Sequence, residues 1–249
     1  DKYHIGLDPM LPGIKHVPFN NFEALESAVD ENTCAVLLEP VQGEGGIIPA
    51  DKEYLKKVRE LCDKNDMLLL FDEVQCGVGR TGELFAYQTF GVEPDAAAFA
   101  KGLAGGVPIG AMMAKDSAAE AFKPGDHAST FGGNSLATSA GTVVMDELFN
   151  GGVLENVKKQ GALLTKKLLE FKDKYSIISD VRGIGLMQGI ELSIPAGPVV
   201  ADAIENGLLL VGAGGNVIRF VPALIISESE VLEAMDILDK VLERAEKSK

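Results

Sequence analysis

Short apolar runs alternate with amphipathic segments along the first half of the chain, and this alternation constrains the fold more than any other feature. Runs at residues 33–38, 67–71 and 96–100 have the length of buried strands. Asp51 precedes an apolar stripe with i, i+3, i+4 spacing over residues 54–62, which predicts a capped amphipathic helix. Strands that alternate with helices predict an α/β fold with a largely parallel sheet.

The second half of the chain has a different pattern. Gly151 and Gly152 separate two predicted helices, at 134–149 and 153–175, so we expect a domain boundary there, between residues 1–150 and 151–249. The later part is predicted to be α+β, with β segments at 177–182, 185–192, 207–211 and 217–220 and a helix near 199–206. A Ser-x-x-Glu capping box at 227–230 predicts the start of a final helix.

Charge and cysteine usage exclude several classes of protein. The formal net charge of −14 argues against a nucleic-acid backbone or an anionic membrane as partner. No apolar run approaches the length of about 18 residues that a membrane span needs, and no secretory signal pattern is present. Cys34, Cys62 and Cys76 are widely spaced, which is typical of reduced thiols. We therefore expect a cytoplasmic protein.

Lys101 stands in a run of glycines and small apolar residues from 100 to 110. An amine in apolar surroundings is a better nucleophile and can form a Schiff base with a carbonyl. Asp72 ends the apolar run 67–71. A Schiff-base lysine together with a carboxylate that can pair with a pyridinium nitrogen meets the needs of pyridoxal phosphate (PLP) chemistry. From these residues alone, a solvated loop lysine and a turn-capping aspartate remain alternatives.

Residues 77–82 read GVGRTG and match the G-x-G-x-x-G pattern of dinucleotide-binding proteins. An NAD-binding dehydrogenase is therefore a rival interpretation. Two features count against it. A helix after the third glycine can run only to Phe90 before Gly91 and Pro94 interrupt it, and residues 72–76 separate the strand from the glycines.

Several motifs occur in one order between residues 71 and 111. They are FDEVQ at 71–75, GRTG at 79–82, GVEPD at 91–95, AKGL at 100–103 and GVPIGA at 106–111. This order resembles the class III PLP-dependent aminotransferases, and the resemblance runs through essentially the whole chain. It implies the fold type I architecture, with a PLP-binding large domain built on a mostly parallel sheet and a smaller α+β C-terminal domain.

The resemblance also implies roles for residues around the cofactor. Lys101 would hold PLP as a Schiff base and then act as general acid and base, while Asp72 would keep the pyridine nitrogen protonated. Val74 would pack on one face of the ring, and Gln75 would hydrogen-bond the ring hydroxyl. Thr130, in the segment STFGGN at 129–134, would bind the cofactor phosphate across a dimer interface.

Three further residues are expected to contact the substrate. Arg219, in the segment NVIRFVP at 216–222, would bind a substrate carboxylate bidentately. Glu44, in EPVQGEGG at 39–46, would form a switchable ion pair with Arg219, opening for one substrate and closing for the other. An ordinary structural salt bridge is the alternative. Ser129 is the third expected substrate contact. No metal site is expected, because the three histidines have no metal-ligand spacing.

Within the family, the resemblance is greatest to enzymes that move the amino group of N-acetylornithine to 2-oxoglutarate in arginine biosynthesis. It implies amino-acid and 2-oxo-acid substrates and a homodimer with shared active sites. Succinyl-diaminopimelate, ornithine and 4-aminobutyrate remain alternative donors. The family's chains begin well before the position that matches Asp1, so we expect a fragment without the N-terminal third, which binds PLP weakly and is catalytically incomplete alone.

Overall fold

The computed structural model describes residues 4–248 and contains two main sheets with helices packed on them. The helices are α1 (Phe22–Ala28), α2 (Lys52–Lys64), α3 (Ala86–Phe90), α4 (Asp116–Ala119), α5 (Ser135–Asn150), α6 (Val153–Lys174), α7 (Ala196–Glu205) and α8 (Glu228–Lys247). The strands are β1 (Ala35–Leu38), β2 (Val41–Gln42), β3 (Ile48–Pro49), β4 (Leu68–Asp72), β5 (Ala96–Phe99), β6 (Ala111–Ala114), β7 (Ile178–Ile184), β8 (Met187–Leu192), β9 (Val211–Gly212) and β10 (Val217–Phe220).

The first sheet has the strand order β1-β4-β5-β6. Strands β1, β4 and β5 are parallel, and only β6 runs antiparallel to its neighbour. The mostly parallel sheet predicted from the alternating pattern is therefore confirmed. Because Leu38 lies opposite Phe71 and Asp72 lies opposite Ala98, the carboxyl ends of β1, β4 and β5 meet at one edge of the sheet. Ligands of open α/β sheets gather at this edge.

One face of this sheet is buried and the other is open in the described part of the chain. Leu69 and Phe71 of β4 are buried in the main core, on the side of α2. On the opposite face, Leu37 is 70% exposed and Met112 is 56% exposed. The prediction that residues 33–38 and 67–71 form buried strands is thus wrong for this face. The runs are apolar on both faces, as parallel strands are, but helix packing covers only one of them.

Local capping explains where three of the helices begin, namely α1, α2 and α8. Asn21 accepts a hydrogen bond from the Ala24 amide at 2.9 Å, and Asp51 accepts from the amides of Glu53 and Tyr54. These side chains satisfy amides that have no partner within the helix. The predicted capping box at 227–230 is present at the start of α8. The helix starts predicted from Asp51 and from the capping box are confirmed.

The second sheet is antiparallel, with the order β7-β8-β10-β9, and helices α6, α7 and α8 pack around it. The strand predicted at 207–211 is shorter and later than expected, since β9 covers only Val211–Gly212. The helix predicted near 199–206 starts earlier, at Ala196. The α+β pattern of this half is confirmed. The domain boundary at 150/151 stays a prediction.

Hydrogen bonds join the β2–β3 hairpin to the second sheet. Arg182 in β7 donates through Nε to the carbonyls of Gly46 and Ile47, at 3.0 and 3.1 Å. Strand β10 lies in the same sheet as Arg182. The loop over residues 40–46 is thereby held beside the C-terminal sheet, which brings Glu44 within reach of β10. Among residues 4–248, no helix is both long and apolar enough to cross a membrane.

Candidate active site

A cavity of about 600 Å³ lies between the end of β4, the turn after β5, helix α5 and the segment from β10 to residue 225. Five residues predicted at the site line this cavity: Glu44, Val74, Gln75, Lys101 and Arg219. They come from four separate parts of the chain. The fold therefore gathers most of the predicted site into one place.

Asp72 and Lys101 lie at the ends of two neighbouring parallel strands. Asp72 is the last residue of β4 and pairs with Ala98 of β5, three positions before Lys101. Its Oδ1 accepts a hydrogen bond from the Val74 amide at 2.9 Å, which shapes the turn after the strand. Lys101 begins a 3-10 turn with a φ of 49°. This left-handed conformation is costly for a residue with a side chain.

The environment of Lys101 differs from the sequence-based expectation. We expected an amine held in apolar surroundings, whereas Lys101 is exposed in the described part of the chain. Gly102, Gly105 and Gly106 follow it and carry no side chains that could cover the amine. The surrounding apolar residues in the sequence did not predict burial, because their small side chains cover little area.

Arg219 is the centre of the polar cluster in the cavity. Its Nη1 donates to Glu44 Oε1 at 2.6 Å and to Gln75 Oε1 at 2.7 Å. The Arg219 side chain is only 10% exposed, whereas that of Glu44 is 64% exposed. The hydrogen bond from Arg219 lowers the pKa of Glu44 below its usual value. The predicted Glu44–Arg219 pair is therefore present in the structure.

The Nε atom of Arg219 is a point where this cluster lacks a hydrogen bond. The Nε atom is buried and has no hydrogen-bond partner among residues 4–248. A buried donor without a partner is costly. The cluster thus leaves one donor of a buried guanidinium available to an acceptor that enters the cavity.

Gln75 belongs to the Arg219 cluster. Besides accepting from Arg219, its Nε2 lies 3.4 Å from Glu44 Oε1. Its amide packs directly on Gly43, where a Cβ atom would come within 2.6 Å of Gln75 Oε1. Gly43 therefore makes room for Gln75 between the loop and Arg219. The expected contact of Gln75 with a ring hydroxyl stays a prediction.

Glu39 is a residue of this region that the sequence analysis missed. It follows β1 directly, as Asp72 ends β4, and it accepts a hydrogen bond from the Gly43 amide at 2.9 Å. Burial raises the pKa of Glu39, and the charge of Asp72 raises it further, while Gly43 and Lys101 oppose the rise. The position of Glu39 at the end of a predicted strand could have indicated its place near Asp72, because the carboxyl ends of neighbouring parallel strands lie at one edge of the sheet.

Ser129 and Thr130 lie apart from the cluster. Both are exposed, and neither lines the cavity. Ser129 Oγ accepts a hydrogen bond from the Gly132 amide at 3.0 Å, which closes a local turn. The structure does not bring these two residues together with Lys101 and Arg219. Their expected contacts with phosphate and substrate stay predictions.

The glycine-rich loop at 77–82 is used for close packing. A Cβ on Gly79 would lie 2.6 Å from Leu148 Cδ2, and one on Gly82 would lie 2.9 Å from Lys158 Cγ. Both glycines have positive φ angles. The helix that follows, α3, has only five residues. The glycines therefore let the loop approach α5 and α6 closely.

Within residues 4–248, neither Cys76 nor a group of metal ligands offers a competing site. Burial raises the pKa of the Cys76 thiol, which keeps it from acting as a nucleophile. No group of three or more His, Cys, Asp or Glu side chains among residues 4–248 is arranged to hold a metal ion.

Comparisons with known proteins agree on one family. The model of the family "Aminotransferase class-III" matches residues 1–242. The acetylornithine aminotransferase of Caldanaerobacter subterraneus subsp. tengcongensis is 51% identical over 243 residues, covering 97% of this chain and 62% of the relative. The solved N-acetylornithine aminotransferase of Stenotrophomonas maltophilia is 39% identical with a TM-score of 0.88, covering 96% of this chain and 65% of that one.

A third match is the solved ornithine aminotransferase of Toxoplasma gondii, with 35% identity and a TM-score of 0.93 over 98% of this chain and 59% of that one. The chain spans about 60% of the length of the relatives it matches. Class III aminotransferases are PLP-dependent and have fold type I, which contradicts the interpretation of residues 77–82 as a dehydrogenase motif. The matched family model and the shared fold show that the chain belongs to the class III aminotransferases.

Proposed function

We propose that this chain carries the active-site residues of an aminotransferase that moves the amino group of N-acetylornithine to 2-oxoglutarate. One observation carries the proposal. A nearly buried Arg219 binds both Glu44 and Gln75 in the cavity that Lys101 also lines. A guanidinium with an unsatisfied donor suits a substrate carboxylate. The name of the Caldanaerobacter relative supports N-acetylornithine as the donor.

The residues at the sheet edge fit PLP as the cofactor. Lys101 would bind it covalently, Asp72 would accept a hydrogen bond from its protonated ring nitrogen, and Val74 and Gln75 would contact its ring. When bound, PLP supplies an electron sink for the charge left as a substrate carbon loses its proton. The Lys101 amine would take up that proton and return it to a different carbon. Thr130 would bind the phosphate of the cofactor held by a partner subunit.

The Arg219 cluster would select between two kinds of substrate. With Glu44 in place, the charge of Arg219 is neutralised, which suits an amino donor that presents its side-chain amine. When Glu44 turns away, Arg219 can bind the carboxylate of 2-oxoglutarate or glutamate bidentately. Glu44 is the mobile partner in this scheme because its side chain is mostly exposed. Ser129 would add a polar contact to the substrate.

The wider assignment follows from the same proposal. The enzyme would act in the cytoplasm, in arginine biosynthesis, as a homodimer whose subunits share active sites. Residues 1–150 would form the PLP-binding domain and residues 151–249 the smaller one. Ornithine is the second candidate donor, since the Toxoplasma ornithine aminotransferase shares the fold over 98% of this chain. Succinyl-diaminopimelate and 4-aminobutyrate are further donors to test.

Trapping the cofactor tests the role of Lys101. The purified chain is mixed with PLP, reduced with borohydride and digested, and the modified peptide is identified by mass. We expect an adduct at Lys101 and none in the Lys101→Ala variant. Lys115, which lies within 3.4 Å of Asp95, serves as the internal control for nonspecific labelling. An adduct spread over surface lysines with none at Lys101 would contradict the proposed role.

A donor panel tests the reaction. Glutamate formation from 2-oxoglutarate is followed with N-acetylornithine, succinyl-diaminopimelate, ornithine and 4-aminobutyrate. We expect slow turnover, because the chain spans only about 60% of the length of its relatives, with the highest kcat/KM for N-acetylornithine. A clear preference for ornithine would replace the proposed donor, and no transfer from any of the four despite a Lys101 adduct would rule out this reaction for the chain.

A further inference from the structure

Arg80 is a partly buried arginine at the edge of the cavity that the proposed reaction does not use. It lies in the glycine-rich loop at 77–82 and lines the same cavity as Lys101 and Arg219. Burial lowers the pKa of Arg80 to about 10, and no neighbouring charge contributes to that change. Its partners in the structure are backbone carbonyls.

These carbonyls flank two strands of the C-terminal sheet, β8 and β10. Arg80 Nη1 donates to the Leu186 carbonyl at 3.1 Å and to the Pro222 carbonyl at 2.5 Å. In return, the Arg80 carbonyl accepts a hydrogen bond from the Leu186 amide at 3.0 Å. Leu186 lies in the turn between β7 and β8, and Pro222 follows β10. One side chain thus ties the ends of two strands to the loop.

The two tied strands are paired with each other next to Arg219. Strands β8 and β10 are antiparallel, with Arg219 opposite Gly189 and Phe220 opposite Gln188. Pro222 is only three positions beyond Arg219. On the other side, Arg80 is only five positions beyond Gln75, which itself binds Arg219. Arg80 therefore completes a closed path of hydrogen bonds and short chain segments. The path runs from Arg80 to Gln75, Arg219 and Pro222 and back.

The packing around this closed path restricts the movement of the loop at 77–82. The Gly77 amide donates to the Glu73 carbonyl at 2.9 Å, and the Gly79 amide donates to the Leu84 carbonyl at 2.9 Å, so the loop backbone is fixed. A Cβ on Gly185 would lie 2.6 Å from the Arg80 carbonyl oxygen. The turn before β8 is therefore pressed directly onto the loop. We expect a change at Arg80 to shift β10 relative to Gln75.

We propose that Arg80 is a positioning residue that holds Arg219 at the correct distance from Gln75 and Lys101, and so tunes the binding of the substrate carboxylate. The inference rests on the proposed function in one respect, namely that Arg219 binds 2-oxoglutarate. Arg80 acts through the Pro222 carbonyl and does not itself contact the substrate. Both hydrogen bonds come from Nη1, and the lysine side chain is one bond too short to place its ammonium at that position.

The test compares Arg80→Met and Arg80→Lys with the wild type. Arg244→Met is the matched control, since Arg244 forms a surface pair with Asp202 at 2.9 Å, in another part of the chain. Three quantities are measured. The first is the NMR signal of the Arg219 Nε–H group, which is assigned by its loss in the Arg219→Lys variant. The others are the Kd of 2-oxoglutarate by calorimetry and the urea midpoint of unfolding. Arg80→Lys keeps the charge and serves where Arg80→Met does not fold.

We expect both Arg80 variants to move the Arg219 signal and to weaken 2-oxoglutarate binding about tenfold, because small misplacements of a binding group are costly. The control should change neither. A lower urea midpoint with an unchanged Arg219 signal and unchanged affinity would show that Arg80 is only structural and would overturn the inference. If the wild type does not bind 2-oxoglutarate but the Arg219 signal still moves, the proposed function fails while the positioning role stands.

Discussion

Arg219 and Glu44 are 175 positions apart in the chain, yet their side chains meet at 2.6 Å. The two partners differ sharply in exposure, since Arg219 is nearly buried and Glu44 is mostly exposed. Gln75 holds Arg219 from a second direction at 2.7 Å. Loss of Glu44 would therefore leave the guanidinium in place. This asymmetry makes Glu44 the partner that can move.

Replacing Glu44 tests whether the pair selects between substrates. Glu44→Gln removes the charge but keeps the shape, so a substrate carboxylate no longer competes with a carboxylate for Arg219. We expect the ratio of kcat/KM for glutamate to that for N-acetylornithine to rise about tenfold, equal to about 1.4 kcal/mol. Half-reaction kinetics with each donor give this ratio. An unchanged ratio would leave only a structural salt bridge.

Gly43→Ala tests the space that Gln75 needs. The new methyl group would lie within 2.6 Å of Gln75 Oε1, so Gln75 must turn away and lose its hydrogen bond to Arg219. We expect the free energy of unfolding to fall by about 1–2 kcal/mol. Gly215→Ala is the control, because a Cβ there meets nothing within 4 Å. Equal urea midpoints for the two variants would refute the packing argument.

Glu73→Gln tests a buried carboxyl group beside Asp72. Glu73 is fully buried and accepts hydrogen bonds from the Ala86 and Tyr87 amides at 2.6 and 2.8 Å. Burial nevertheless raises the pKa of Glu73 from 4.5 to about 7. The folded state therefore holds this proton more tightly than the unfolded state. Its contribution to stability is complete below pH 4.5 and is lost as pH rises to about 7.

A glutamine side chain at this position does not titrate, so the Glu73→Gln variant does not lose stability in this way as the pH rises. From pH 4.5 to 7.5, we expect the free energy of unfolding of Glu73→Gln to rise relative to wild type by about 3 kcal/mol, as a pKa difference of about 2.5 implies. Urea unfolding of both proteins at several pH values measures the difference, and contributions of other carboxyl groups cancel. A difference that does not depend on pH would show that Glu73 keeps an ordinary pKa.

The left-handed backbone at Lys101 predicts that any side chain at this position lowers the stability of the fold. Its φ of 49° costs a residue with a side chain about 1–2 kcal/mol. Lys101→Gly removes this cost, and Lys101→Ala does not. Because glycine also loses more entropy on folding, we expect Lys101→Gly to be more stable than Lys101→Ala by about 0.5–1 kcal/mol in urea unfolding. Equal stability would indicate that the turn relaxes without the lysine.

Local sequence signals predicted much of this protein, because they act between residues close in the chain. Asn21, Asp51 and Ser227 cap helices through amides two or three positions away. The apolar runs became the parallel strands that put Asp72 and Lys101 at one sheet edge. The motif order over residues 71–111 indicated the family before any contact was known.

Only the tertiary structure decided how the side chains around the cavity are bonded and how far each is exposed. Gln75 binds Arg219, Arg80 binds the Pro222 carbonyl, and Lys101 remains exposed beside them. Each of these depends on the packing of two sheets joined by contacts between residues more than 100 positions apart. Such contacts are set by the summed fit of many apolar side chains, which leaves no periodic signal in the sequence.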